Sequence, residues 1–174
     1  MLIGESFVGT GVNSAHVNTI LGEREGPVGA AWATALSTPR AGHASFVVTA
    51  RPGVAACPPT LFVNKATVTG VDHANLTWGP AQAGVAGGVA LAVEDGTISR
   101  DEVGRLVLIA AVWVNPSADD AEAVYTNNIA ATHQALRAAK AGKPDLAEFE
   151  EAARAPFNAF FRPSGAEPPR SATV

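Results

Sequence analysis

Four short stretches of this chain bring together residue types able to do chemistry. In Ala15-His16-Val17-Asn18 an imidazole and an amide stand two residues apart, so in a strand both project from one face. Asn64-Lys65-Ala66-Thr67 pairs an amine and a hydroxyl in the same way, and Ser45, Val47 and Thr49 would share one side of a third strand. In Gly79-Pro80-Ala81-Gln82 the proline suits the first turn of a helix, which puts Gln82 in that turn. A histidine with an ordinary pKa near 6.5 can give up and regain a proton at neutral pH. Taken singly, each piece has a plain structural explanation. A strand histidine satisfies itself in the core, a lysine at a strand end is solvated, and a glutamine near a helix start caps it.

The elements that must position these residues alternate along the chain. Leu2–Val8 and Ala15–Leu21 read as two strands of a hairpin, with a connection around Gly9-Thr10-Gly11 longer than a two-residue turn. Val28–Leu36 reads as a helix behind Pro27, and Ala44–Ala50 and Thr60–Val68 read as strands. Asp72–Thr77 suggests a short helical turn, and Gly79-Pro80 opens a longer helix over Ala81–Val93. Within it Gly84, Gly87 and Gly88 suit close packing rather than phosphate binding. Ser99 and Glu102 have capping-box spacing and predict a short helix start. Arg105–Val114, almost wholly apolar, predicts a strand covered on both faces, and Asp119–Ala141 the longest helix. Residues 1–144 form the expected body. Residues 145–174 form a separate arm carrying Leu146, Phe149, Phe157, Phe160 and Phe161, followed by a polar, proline-rich tail.

Bulk properties narrow the function. At 174 residues the chain fits one domain, and its 47% apolar content is enough for a core without disulfide or metal staples. A net charge of −4 with no basic cluster argues against nucleic acid and against an anionic membrane surface. The longest apolar runs are shorter than the roughly 20 residues that span a bilayer. The N-terminal residues do not read as a signal peptide, and the lone Cys57 suits a reducing compartment, so a cytoplasmic location is expected. His16, His43, His73 and His133 lack zinc-site spacing, so no metal is expected, and His43 and His133 are expected at the surface. Gly9-Thr10-Gly11 begins like a dinucleotide fingerprint but has Ser14 where the third glycine belongs.

What joins the four stretches is their order. Ile3-Gly4-Glu5 with Val8-Gly9, Ala15-His16 with Gly22, Thr60-Leu61, Asn64-Lys65 with Thr67, Trp78-Gly79-Pro80-Ala81-Gln82, and Asn128 with Ala131-Thr132 together resemble the formaldehyde-activating enzyme family over Leu2 to Pro144. The resemblance implies a two-layer α/β sandwich of the ribosomal protein S5 domain 2-like type, assembled as a homopentamer. It implies condensation of formaldehyde with tetrahydromethanopterin, a co-substrate, to the methylene adduct and water, a step of one-carbon metabolism and formaldehyde detoxification. It places the catalytic histidine on His16 and the pterin contacts on Asn18, Val47, Lys65, Thr67 and Gln82. Two positions depart from the family pattern: Asn18 stands where members carry aspartate, and Ala130 where they carry glutamate. With Asn18, the carboxylate expected beside the histidine is missing. A non-catalytic paralogue that binds a pterin, a folate or another small ligand is therefore the alternative, and a ligand-free structural ring protein a third reading.

Overall fold

The computed structural model describes residues 1–158 and 160–164. Two compact units divide the chain at Ala141. In the first, a five-stranded sheet runs in the order β1 (Leu2–Val8), β2 (Ala15–Glu23), β7 (Leu106–Trp113), β6 (Thr60–Asn64) and β3 (Phe46–Val47). All neighbours are antiparallel except β6 and β7, which are parallel. A parallel pair needs a crossover. Here it is a helical run of α2 (Gly70–Leu76), a π turn (Thr77–Ala81) and α3 (Gln82–Glu94). The α/β sandwich expected from the sequence is what forms.

Alternation sorts the sheet into two faces. Val17, Leu21, Phe62, Leu108, Ala110 and Val112 are buried in the core shared with Val85, Val89 and Ala92 of α3 and with Val124, Ala131 and Leu136 of α4 (Ala121–Lys140). The helices approach closely because α3 carries glycine where they cross. A Cβ on Gly84 would lie 2.6 Å from the Tyr125 carbonyl oxygen, and one on Gly88 2.6 Å from Thr132 Cβ. Helix α4 begins where Asp120 accepts hydrogen bonds from the Glu122 and Ala123 amides. On the other face, α1 (Pro27–Ser37) lies against Gly22, whose missing Cβ leaves room for Val28.

Several local expectations are corrected. Gly79-Pro80 does not start a helix, because the chain is already helical from Gly70; a π turn absorbs the proline, which lacks an N–H to donate. Gln82 is thus inside a long helical run rather than at its free end. Ser99–Glu102 forms a turn closed by the Glu102 amide donating to the Ser99 carbonyl, and leads through Gly104 directly into β7. The run 44–50 is not one strand. β3 pairs with β6, buried Val48 follows, and β4 (Thr49–Arg51) pairs instead with β5 (Val54–Ala55). Only one face of β7 is fully covered; Ile109, Ala111 and Trp113 on the other are half-buried.

The second unit, Gly142 onward, contains α5 (Leu146–Ala152). A complete capping box starts it: the Glu148 amide donates to the Asp145 carboxylate, and the Asp145 amide to the Glu148 carboxylate. Its Leu146, Phe149, Phe157, Phe160 and Phe161 are exposed. The polar tail expected at the C-terminus lies, from residue 165 on, outside the described residues.

Candidate functional site

The open face of the sheet holds the densest group of reactive side chains. β1 and β2 pair so that Glu5 stands opposite Asn18 and Phe7 opposite His16, while His16 in turn stands opposite Trp113 of β7. Diagonal neighbours on one sheet face are within reach of long side chains. Glu5 uses that reach, and its carboxylate lies 2.9 Å from His16 Nε2. Phe7 packs at the imidazole with ring centroids 5.9 Å apart. Lys65 follows β6, held by its amide donating to the Val112 carbonyl, and its Nζ donates to Asn18 Oδ1 at 2.8 Å.

The electrostatics follow from this packing. Burial lowers the His16 pKa and the Lys65 charge lowers it further, against the Glu5 carboxylate, whose charge and hydrogen bond favour imidazolium. Burial also pushes the Lys65 ammonium down to about 8, opposed by the Glu5 charge. His16 is 30% exposed at its side chain and Glu5 58%, so solvent and ligand reach both. The arrangement is an accessible imidazole backed by a carboxylate and flanked by an amine.

Val47 and Gln82 lie elsewhere. They line a groove of about 400 Å³ with Ala44, Phe46, Thr49 and Trp78. Gln82 Oε1 accepts from the Thr49 amide at 2.6 Å, which ties α3 to β4. Thr67 is in a third place. The chain leaves strand geometry after Asn64, so Lys65 and Thr67 do not share a strand face. Thr67 bonds His43 instead, Oγ1 to Nε2 at 3.1 Å, while His43 Nδ1 donates to the Asn64 carbonyl at 2.9 Å. Of the six residues singled out from the sequence, the structure therefore brings together His16, Asn18 and Lys65, pairs Val47 with Gln82, and sets Thr67 apart.

Two histidines expected at the surface are half-buried and engaged: His43 as above, and His133 against Asp95 at 2.7 Å. His73 is buried and structural, accepting from the Thr69 amide and donating to the Val114 carbonyl. Among the described residues no group of three His, Cys, Asp or Glu side chains could hold a metal ion, and no helix is long and apolar enough to cross a membrane.

Glu5 is the residue that sequence reasoning missed, and it corrects the expectation that no carboxylate accompanies the histidine. A signal existed. The hairpin bounded by Val8 and Ala15 aligns Glu5 with residue 18 once the strands are paired back from that turn.

Comparison with known proteins adds three observations. The profile of the family described as formaldehyde-activating enzyme matches residues 3–160. A bifunctional enzyme Fae/Hps of Methanococcoides burtonii is 44% identical over 146 residues, which cover 84% of this chain and 37% of that protein. A 5,6,7,8-tetrahydromethanopterin hydro-lyase of Methanosarcina barkeri is 36% identical over 147 residues, 84% of this chain and 83% of that protein. The chain thus spans little more than a third of the bifunctional relative and most of the hydro-lyase.

Proposed function

We propose, since the chain belongs to the formaldehyde-activating enzyme family, that it condenses formaldehyde with tetrahydromethanopterin, giving the methylene adduct and water. The observation that carries this reading is the accessible His16 imidazole with the Glu5 carboxylate 2.9 Å from its Nε2. A pterin ring nitrogen adds to formaldehyde to give a hydroxymethyl adduct. Hydroxide leaves poorly, so a proton must reach that oxygen, and His16 supplies it; general acids of this kind contribute roughly 10²–10⁴-fold. Departure of water leaves an iminium cation, which the second ring nitrogen captures. Glu5 favours the protonated imidazole and faces the positive charge that develops, the part expected of the family aspartate where Asn18 stands.

The remaining assignments follow the resemblance. Asn18 and Lys65 offer polar contacts on the open face, Thr67 a hydroxyl, Gln82 an amide, and Val47 with Trp78 and Phe46 an apolar wall for a flat ring. We assign a homopentamer, for which exposed Ile3, Val71 and Trp78 supply apolar surface. Such a ring could set the groove of one protomer against the open sheet face of its neighbour, reuniting Val47 and Gln82 with His16. A cytoplasmic location and a role in formaldehyde detoxification complete the reading; the lone Cys57 suits a reducing compartment.

Asn18 favours a second reading, a paralogue that binds pterin or folate without turning it over. The experiment that separates them measures methylene-tetrahydromethanopterin formation by purified protein against the spontaneous background, beside His16→Ala. Acceleration lost in the variant supports the enzyme. Background rates with calorimetric binding of the pterin would establish the carrier instead.

A further inference from the structure

The geometry points to Lys65 as a covalent formaldehyde-capturing residue, which holds the carbon as an iminium before the pterin takes it. This rests on formaldehyde being the substrate, as proposed above, and puts the lysine amine ahead of the pterin nitrogen in adding to it, so that His16 protonates the lysine carbinolamine in place of the hydroxymethyl pterin. Aldehydes react with neutral amines, and an enzyme activates a lysine for this by desolvating it. Lys65 is held in that condition. Its Nζ donates to the neutral Asn18 amide at 2.8 Å, and among the described residues it joins no ion pair. An amine that spends one N–H on an amide oxygen keeps its lone pair for an incoming carbonyl. The titratable groups facing it are Glu5 on β1 and His16 on β2; β7 contributes Ala111 and Trp113, which do not ionise. With a pKa of about 8, about a tenth of the Lys65 side chains are neutral at pH 7.

The chain has two other lysines, which serve as internal references. Lys143 bonds the Asp145 and Glu148 carboxylates at 2.8 and 3.1 Å, which raises its pKa, and Lys140 is exposed at the end of α4. The departure at Asn18 has a meaning in this light. An aspartate there would pair with the ammonium and hold its proton, whereas the amide positions the amine and leaves it nucleophilic.

The steps balance without an oxidant. The Lys65 amine adds to formaldehyde, giving a carbinolamine. Protonated His16 gives its proton to the hydroxyl, water leaves, and a lysine iminium remains. A pterin ring N–H attacks that carbon and its proton returns to His16, leaving a carbon bonded to both nitrogens. The lysine nitrogen is then protonated and expelled as free amine, which leaves the carbon as a pterin iminium. The second pterin nitrogen closes on it and releases a proton. The net change is formaldehyde plus tetrahydropterin to methylene product plus water.

The test treats the whole protein with formaldehyde and cyanoborohydride, without pterin, and follows peptide masses for gain of one CH2 at each lysine. Lys65 is expected to be methylated about tenfold or more faster than Lys140 or Lys143 at pH 7, with a rate that climbs and levels off near pH 8. Asn18→Asp should slow Lys65 labelling about tenfold at pH 7 while leaving the other two unchanged. Tetrahydromethanopterin added before the reductant should discharge the label. Labelling of Lys65 no faster than of Lys140, or pterin conversion at full rate while the Lys65 adduct persists, would overturn the proposal. The wild-type pH profile decides the matter even if the variant misfolds. Fast, pH-dependent labelling of Lys65 without any acceleration of pterin condensation would keep the capture and sink the condensation.

Discussion

The two faces of one sheet use the same strands for opposite ends. On β2, Val17 is buried against helices while His16 and Asn18, its immediate neighbours in sequence, look outward beside Glu5 and Lys65. On β7, Leu108, Ala110 and Val112 are fully buried, and Ile109, Ala111 and Trp113 are not. The inner face is buried and mostly apolar, with Thr19 and Thr60 among its few polar residues, so its residues contribute stability mainly by area removed from water. The outer face keeps a carboxylate, an imidazole and an amine partly hydrated, which costs stability little and leaves them able to exchange protons. Changes on the two faces should therefore separate cleanly into losses of rate and losses of fold.

Four measurements test that division. The largest effect is expected from His16→Ala, which should lower the condensation rate roughly 10²–10⁴-fold. Its urea midpoint should stay close to that of the parent; a large drop would mean that the outer face also holds the fold. Phe62→Ala, on the inner face and stacked on Phe46 at 4.9 Å, should cost about 3–5 kcal/mol in denaturant unfolding. Gly88→Ala forces a methyl to within 2.6 Å of Thr132 Cβ and 2.7 Å of the Ile129 carbonyl oxygen, and should cost about 1–3 kcal/mol by the same assay. A neutral outcome would show that α3 and α4 can shift apart.

The smallest effect concerns Glu5→Gln. Glu5 raises the His16 pKa, so removing its charge lowers that pKa further. An acid catalyst acts in its protonated form, and at pH 7 that fraction shrinks as the pKa falls. The rate at pH 7 should decrease about three- to tenfold, and the limb of the pH–rate profile should move to lower pH. An unmoved limb would remove Glu5 from the proton-transfer role.

Much of this was legible in the chain itself. The hairpin of β1 and β2, the helix behind Pro27, the long α4 and the packing role of Gly84 and Gly88 all follow from period, turn residues and side-chain size. The two capping-box patterns show where such reading stops. Asp145–Glu148 starts a helix because a helix-forming run follows, whereas Ser99–Glu102 has the same spacing but is followed by Gly104 and a β-rich run, and it closes only a turn. Pro80 was misleading for a related reason. Proline suits a first turn, but the helical run had begun at Gly70, and a π turn accommodates the missing N–H.

The candidate site divides along the same line. His16 and Asn18 share a face because they are two apart in one strand, a property of the chain alone. That Glu5 reaches His16 depends on the register between β1 and β2, and that Lys65 meets Asn18 depends on β7 lying between β2 and β6. The separation of Val47 from His16 depends on β3 lying at the edge of the sheet, with β7 and β6 between it and β2, and that of Gln82 on α3 covering the opposite face. Most elements, the residues each turns inward and the reactive types it carries follow from the chain alone, since these rest on local sterics and on alternation; the split of the run 44–50 and the turn at Ser99–Glu102 do not. Only the tertiary structure decided which reactive groups meet, because pairing across strands and layers is set by packing between segments far apart in the chain.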